Sequence, residues 1–220
     1  MMGASSRGVI VAVAIAGCAF EHGSDPSGDG IDEPPGAGTV EFRRGDNGYA
    51  GVADTSLMLK NADTPQGDVD IVTWEQQSEE DALGLVRFDA IFGTSAAQIP
   101  PSAQIVTAQL HYVVTNSGDS AELHEVLVDW SESITYASFG VASGVQPLAD
   151  YRSEIVAMAD AASSGPQIVD VTSSLRQWSL DPATNRGWIF VPLSDGGTRF
   201  ASSEATVADR PRLVVTFAPR

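Results

Sequence analysis

The sequence predicts an all-β protein: a single jelly-roll-like antiparallel β-sandwich with one or two short helices. Many short stretches alternate apolar and polar residues, and turn residues separate them at intervals of roughly 8 to 12 positions. Helical spacing is confined to two places. Of the 220 residues, 43% are hydrophobic, which is enough to fill one core. These observations favour one domain in which sheets, and not helices, bury the apolar side chains.

The alternation is clearest in residues 104–115, where every second side chain from Val106 to Val114 is apolar. This stretch predicts a half-buried strand, and we expect residues 122–130 to pair back onto it after a turn at 116–119. The other predicted strands are two within 40–60, followed by 68–74, 83–90, 167–171, 188–193 and 213–217. The last two flank a polar loop, as at the end of an antiparallel sandwich.

The two helical patterns are short. Within residues 150–163 the apolar side chains recur every three to four positions, which predicts a short helix. These residues are Tyr151, Ile155, Met158 and Ala162. We expect Thr172 to cap a second brief helix that places Leu175 and Trp178 on one face.

The N-terminus predicts an exported chain with a lipid anchor. Residues 1–17 combine Arg7 with an apolar run at 9–16, far shorter than the roughly 20 residues of a membrane-spanning helix, so a cleaved signal peptide is expected. The ending Ile15-Ala16-Gly17-Cys18 resembles a bacterial lipobox. That resemblance implies lipidation of Cys18 and a location at the outer membrane or cell surface. An ordinary secretory signal with a chance cysteine is the alternative.

The next segment, residues 18–39, is rich in Gly, Pro, Asp and Ser and has almost no apolar residues. Such a composition cannot bury enough surface to order itself, so we expect a disordered tether between the anchor and a folded domain at 40–220.

The chain is strongly acidic, with 29 Asp and Glu against 12 Lys and Arg, a formal net charge of −17. This charge repels phosphate backbones and anionic lipid, which excludes nucleic acid as an expected partner. It also disfavours acidic polysaccharides, unless the arginines gather in one patch. The charge would attract divalent cations, or it serves solubility alone.

Short motifs follow one another along residues 40–217. They are Gly48-Tyr49-Ala50-Gly51, Asp54-Thr55-Ser56-Leu57, Val86-Arg87-Phe88-Asp89, Ile105-Val106-Thr107-Ala108-Gln109-Leu110, Trp130-Ser131-Glu132, Asp170-Val171-Thr172, Trp178, Asn185-Arg186-Gly187, Ser202-Ser203-Glu204 and Arg210-Pro211-Arg212-Leu213. This ordered set resembles the DNRLRE-type domain, also classed as the family-96 carbohydrate-binding module. The resemblance implies a β-sandwich that binds polysaccharide or cell-wall glycan without catalysis. At 66–67 and 135–137 the chain lacks the family's Asn-Tyr-Gly and Thr-Trp-Asn, which implies a different ligand specificity.

Three residues are predicted to bind the glycan: Tyr49, Tyr136 and Arg199. Aromatic rings pack against the CH groups of a sugar face. An arginine, whether Arg199, Arg43 or Arg44, can hold a uronate carboxylate in bidentate geometry. Core packing of the tyrosines and a solvated surface for the arginines are the alternatives.

Two tryptophans, Trp74 and Trp188, are further candidates for a sugar platform, with core packing as the alternative, whereas Trp130 and Trp178 are assigned to the core. No Ser or Cys has a convincing base beside it in the pattern, and the sequence has no zinc-binding His motif. We therefore expect a protein that is not an enzyme. A structural or adhesion protein of the cell envelope, without a sugar site, is the alternative function.

Hard oxygen ligands cluster in and beside a glycine-rich loop, at Asp46, Asn47 and Asp54. This donor type suits calcium, and we expect one structural Ca²⁺ there, with plain turn capping as the alternative. Arg87, Glu132 and Glu204 lie in motifs flanked by apolar residues. They predict a buried network of arginine and carboxylates that holds the sheets in register. The alternative makes the two glutamates a catalytic acid and base.

Overall fold

Eleven strands and one α-helix form the part of the chain that the computed structural model describes, residues 37–101, 103–142 and 144–219. In chain order they are β1 (Gly38–Arg43), β2 (Val52–Met58), β3 (Ile71–Trp74), β4 (Ala82–Phe88), β5 (Ala103–Asn116), β6 (Ala121–Val126), β7 (Tyr151–Ala159), β8 (Gly165–Asp170), α1 (Thr172–Leu180), β9 (Trp188–Pro192), β10 (Thr198–Ala201) and β11 (Arg212–Pro219). The predicted signal peptide, the lipidation site Cys18 and most of the tether lie outside the described residues. Because β1 begins at Gly38, the last two residues assigned to the tether belong to a strand.

The strands form two antiparallel sheets that pack as a sandwich, which confirms the predicted fold class. In the first sheet the order is β1-β11-β5-β10-β3, and β8 pairs with the other edge of β5. In the second sheet the order is β2-β4-β9-β6-β7. Sequence neighbours therefore often lie in different sheets, and several connections cross the sandwich.

Aromatic side chains fill the space between the sheets. Trp74 of the first sheet stacks on Phe190 of the second, with ring centroids 5.0 Å apart and planes 3° from parallel. Phe200 and Tyr112 contact the same pair edge-on or tilted. Offset and edge contacts of this kind stabilise a core beyond the effect of area burial alone.

All four tryptophans are buried. Trp130 and Trp178 lie in the core as predicted, and Trp178 packs on Trp188 with ring centroids 4.8 Å apart. Trp74 and Trp188 are fully buried as well, so the interpretation of these two as sugar platforms is wrong.

The predicted pairing of residues 122–130 with the long strand β5 is also wrong. β6 pairs with β7 and β9 in the second sheet, because the chain crosses the sandwich after β5. Asp119 stabilises this crossing: its carbonyl accepts from Trp74 Nε1 at 2.8 Å, and its carboxylate accepts from Gly196 N at 3.0 Å. The β9–β10 connection, which contains Gly196, crosses at the same place, so Asp119 ties the two crossings together.

The helical spacing of apolar residues within 150–163 led to a wrong prediction of secondary structure. Residues 151–159, predicted as part of a helix, form the edge strand β7, because β6 provides backbone partners and Tyr151, Ile155 and Val156 suit extended structure. Tyr151 and Ala159 point into the core, and Ile155 and Met158 are exposed. The short strand β10 was not predicted.

The helix α1 is confirmed, but Thr172 does not cap it. The N-cap position is Val171, without a side-chain hydrogen bond. Thr172 Oγ1 instead accepts from Ala108 N at 2.9 Å, which fastens the helix to β5. Leu175 and Trp178 are on the buried face, as predicted.

We expect Phe190→Ala to lower the free energy of unfolding by about 3–5 kcal/mol, because the substitution opens a cavity beneath Trp74 that the two sheets cannot close. Chemical denaturation measures the loss. Val141→Ala, at a side chain that is 77% exposed, is the control and should change stability by less than about 0.5 kcal/mol. An unchanged midpoint for Phe190→Ala would contradict the role of this contact in joining the sheets.

Candidate functional site

A surface pocket of about 630 Å³ lies beside the β1–β2 loop. One wall is formed by β1 and this loop, and the other by the segment that follows β4. The polar and aromatic residues that line it are Thr39, Glu41, Phe42, Asp46, Asn47, Tyr49, Ser95 and Gln98. The structure thus brings together three residues that the sequence had assigned to two different kinds of site, Tyr49 to sugar binding and Asp46 and Asn47 to calcium.

Left-handed backbone conformations give the β1–β2 loop its shape. Gly45 and Gly48 have φ of 98° and 77°, which glycine adopts without strain, and Asn47 has φ of 49°, which asparagine tolerates. Two backbone hydrogen bonds of 2.8 Å close the turn, from Gly45 N to Tyr49 O and from Tyr49 N to Asp46 O. The turn chemistry therefore determines where Tyr49 stands.

The ring of Tyr49 is half-buried and held at several points. Its centroid lies 5.2 Å from that of Phe42, and its hydroxyl donates to Asp89 O at 2.7 Å. A Cβ on Gly51 would stand 2.6 Å from the same carbonyl and about 3.0 Å from the ring, so only glycine allows this close approach. Burial, and then the charge of Asp89, raise the pKa of Tyr49, which keeps the phenol protonated.

The opposite wall is the segment after β4. The Gln98 amide donates to Ala90 O at 2.7 Å and accepts from Ser95 N at 3.3 Å. These bonds fold residues 90–98 into a compact loop whose polar atoms border the pocket. Glu41, Ser95 and Gln98 had not been predicted as site residues. For Ser95 and Gln98 the reason is that only the fold brings their loop to Tyr49.

The other two predicted sugar-binding residues do not line this pocket. Tyr136 is half-buried against a second apolar cluster near Phe139, and Gly144 lies beside its ring. Arg199 is exposed on β10, opposite Thr73 of the neighbouring strand. Tyr136 and Arg199 therefore do not form one site with Tyr49, and their role in sugar binding stays a prediction.

A second constellation places two carboxylates beside one arginine and links a third to it through Ser203. Arg44 Nη1 forms an ion pair with Glu204, lies 3.7 Å from Glu132 Oε1 and donates to Ser203 Oγ at 3.0 Å. Ser203 N donates to Asp54 Oδ2 at 2.8 Å. Glu132 and Glu204 thus lie beside one arginine, but that arginine is Arg44, which the sequence had offered as a uronate-binding or a solvated surface residue. The side chains of Arg44 and Glu132 are 38% and 34% exposed, so the group is not the buried network that was predicted.

Arg87, predicted in that network, has other partners. Its guanidinium binds both carboxylate oxygens of Asp89, at 2.7 and 3.0 Å, and donates to Trp130 O at 2.7 Å. The same group lies 4.7 Å from the centroid of the Trp130 ring, which is a cation–π contact. Arg87 therefore fixes the loop after β6 from a neighbouring position, and no contact among the described residues joins it to Glu132 or Glu204.

Both glutamates share one cationic nitrogen of Arg44, an arrangement that favours the structural network over a catalytic acid and base. An acid–base pair would need the two carboxyl groups to take opposite protonation states across a bound substrate. Burial, and then the charge of Glu204, raise the pKa of Glu132, while Arg44 opposes that rise.

Asp54 is the most deeply placed member of the constellation. It is 1% exposed, and its Oδ1 has no hydrogen-bond partner among the described residues. Burial, and then repulsion from Glu204, raise the pKa of Asp54 to about 8, although the bond from Ser203 opposes the shift. A carboxyl in this position is mostly protonated at neutral pH.

The predicted calcium residues have separate partners. Asp46 Oδ2 is held by Arg43 at 2.7 Å, and Asp54 Oδ2 by Ser203 N, so one oxygen of each carboxylate already has a partner of its own. Within the described residues no three acidic, His or Cys side chains converge as metal ligands. This arrangement does not favour calcium bound by Asp46, Asn47 and Asp54 together, and the ion stays a prediction.

No protein-family model matches the chain, and no curated protein matches it. The resemblance to the DNRLRE-type domain therefore rests on the motif order alone. In the part of the chain that the structure covers, no helix is long and apolar enough to cross a membrane.

We expect Asp54→Asn to remove a pH dependence of stability. The unfolded carboxyl titrates near its ordinary pKa of 3.8 and the folded one near 8, so the native state holds a proton that the unfolded state releases. The stabilisation is complete below about pH 4 and is lost as the pH rises through 8, by at most about 1.4 kcal/mol per pH unit. Denaturation at pH 5 and pH 8 measures the slope, which Asp54→Asn should reduce.

The matched control is Asp129→Asn, at an aspartate whose side chain is 91% exposed. It should leave the slope unchanged. An equal slope in wild type and Asp54→Asn would contradict the protonated state of Asp54.

Proposed function

We propose that this protein is a non-catalytic binding protein whose β-sandwich takes a polysaccharide in the pocket beside Tyr49. The observation that carries the proposal is the composition of this pocket: a fixed, half-buried aromatic ring stands among carboxylate, amide and hydroxyl groups. A sugar ring presents CH groups on one face and hydroxyls around its edge, so it matches such a lining.

The pocket also matches a short length of glycan in size. Its volume of about 630 Å³ falls within the range of roughly 300–1,000 Å³ that is usual for ligand sites. Because all four tryptophans are buried, a flat tryptophan platform for a crystalline polysaccharide surface is not available on the described chain. These facts support recognition of a chain end or a short segment in a pocket.

The charge of the walls favours an uncharged glycan here. Glu41 and Asp46 border the pocket and the chain has a net charge of −17, so an acidic sugar would meet repulsion at this place. The same charge disfavours nucleic acid as a partner.

Export and anchoring belong to the same proposal. The apolar run at 9–16 and Ile15-Ala16-Gly17-Cys18 support a lipid-anchored protein of the outer membrane or cell surface. Mass spectrometry of the mature chain tests this: the expected result is an N-terminal Cys18 that carries acyl chains, and an unmodified cysteine would contradict it.

We expect Tyr49→Ala to weaken binding on a polysaccharide array at least about tenfold, because the ring supplies the apolar floor of the pocket. Tyr49→Phe is the matched control: it keeps the ring and loses only the bond to Asp89 O, so most of the affinity should remain. Each array is repeated with a chelator, and weaker binding without metal would support the predicted calcium.

The remaining predicted residues locate the site. If Tyr136→Ala or Arg199→Ala abolishes binding while Tyr49→Ala does not, the pocket beside Tyr49 is the wrong place. Circular dichroism of each variant shows whether the fold survives the substitution.

One observation favours the second candidate, a structural or adhesion protein. The edge strand β7 exposes Ile155 and Met158, and an uncovered edge with apolar side chains can pair with another chain. A protein that unfolds cooperatively but binds no glycan on the array would favour this function over polysaccharide binding.

A further inference from the structure

Three basic side chains form a row across neighbouring strands of the first sheet. Arg43 of β1 lies directly opposite Arg212 of β11, and Arg212 lies directly opposite His111 of β5. Directly opposed residues of an antiparallel pair point to the same face, about 5 Å apart, so like charges there repel each other. The two arginines of the row therefore cost stability unless anions accompany them.

A pocket of about 290 Å³ lies over this row. Arg43, Arg212 and His111 line it together with Arg210, which comes from the loop before β11. Three of the chain's 12 Lys and Arg residues thus meet in one small pocket of a protein with 29 acidic residues. Here the arginines are gathered into one patch.

The carboxylates nearby neutralise only part of this charge. Glu41 lies 3.6 Å from Arg43 and 2.9 Å from Arg212, and Asp46 lies 2.7 Å from Arg43. The two carboxylates therefore balance the charges of Arg43 and Arg212, and the positive charge of the third guanidinium group is left over.

The charge left over is that of Arg210. Its Nε donates to Ala205 O at 2.8 Å and its Nη1 to Arg44 O at 2.9 Å. Both acceptors are neutral carbonyls, and no carboxylate among the described residues forms an ion pair with this guanidinium. These two bonds orient the group, so its charge is held in place at the pocket.

His111 adds an unsatisfied polar group to the same pocket. Arg212 Nη2 lies 3.3 Å from His111 Nδ1, and because a guanidinium only donates, Nδ1 is the acceptor and a neutral ring carries its proton on Nε2. Burial, and then the charge of Arg212, lower the pKa of His111, so the ring is neutral near pH 7. His111 Nε2 has no hydrogen-bond partner within the described chain.

We propose that this pocket binds an oxyanion, a carboxylate, sulfate or phosphate group, through the guanidinium groups of Arg210 and Arg212, with Arg43 and His111 alongside. The planar donors of arginine match the oxygen pairs of such groups. The volume suits a single anionic group and not a whole oligosaccharide. The site is distinct from the pocket beside Tyr49, so it goes beyond the polysaccharide site proposed above.

Calorimetric titration of the full chain with sodium sulfate and with sodium phosphate, at low ionic strength and pH 7, tests the site. One bound anion per chain is expected, and Arg212→Gln should weaken it on the order of tenfold or more, because a charge-assisted bond is lost. The matched control is Arg186→Gln, which removes an equal charge from an arginine paired with the exposed Asp129. It should leave the affinity unchanged within about twofold.

If Arg212→Gln does not fold, a second variant that is expected to raise the affinity for the anion tests the proposal instead. Glu41→Gln removes the carboxylate that occupies Arg43 and Arg212, so the anion should bind more tightly, by several-fold. No sulfate or phosphate binding in wild type, equal losses in Arg212→Gln and Arg186→Gln, or no gain in Glu41→Gln would each overturn the proposal.

Two further titrations identify the source of the anion and separate this site from the other one. Binding of polygalacturonate that sulfate competes away and Arg212→Gln weakens assigns a carboxylate carried by a polymer, whereas binding of the inorganic ions alone assigns a free anion. Tyr49→Ala should leave sulfate binding intact, and Arg212→Gln should leave binding of an uncharged glycan intact. The experiments therefore show separately whether the proposal for each pocket is wrong.

Discussion

The contact between Trp74 and Phe190 is the interaction on which the rest of the structure depends. It joins β3 of one sheet to β9 of the other with parallel rings 5.0 Å apart, and Phe200 and Tyr112 close around it. Neither sheet could bury its apolar face alone, so this contact holds the sandwich together. The indole N–H of Trp74 also forms a hydrogen bond, because Trp74 Nε1 donates to Asp119 O at the place where two chain crossings meet. Core packing and topology are thus stabilised at the same residue.

Because aromatic rings fill the space between the sheets, both candidate binding pockets lie at the loops and on an outer face of the sandwich. The pocket beside Tyr49 lies where two loops meet, and the basic row lies on the outward face of the first sheet. The two pockets are neighbours in the structure, since Glu41 and Asp46 border the first and form ion pairs with arginines of the second. Two surfaces of opposite charge therefore share carboxylates, and a ligand in one would change the electrostatics of the other.

Charge is distributed unevenly in three ways. Acidic residues outnumber basic ones 29 to 12 in the chain, the buried carboxyl of Asp54 keeps its proton, and one small pocket concentrates arginines. The buried group is protonated because it has little access to solvent and lies near Glu204, while Arg44 is already paired. The arginine pocket tolerates like charges only because Glu41 and Asp46 lie against it. Each feature has a separate physical cause, and net charge alone would have indicated none of them.

The sequence by itself determined the fold class, most strands, the helix α1 and the buried places of Trp130 and Trp178, because alternation and helical spacing are local properties of the chain. It misassigned β7 and the partner of β6, since a strand's partner depends on residues far along the chain. The pairing of Arg44 with Glu204, and the alignment of Arg43, Arg212 and His111, required the tertiary structure. These residues are about 70 to 170 positions apart, and only the register of the folded sheets brings such side chains within contact distance.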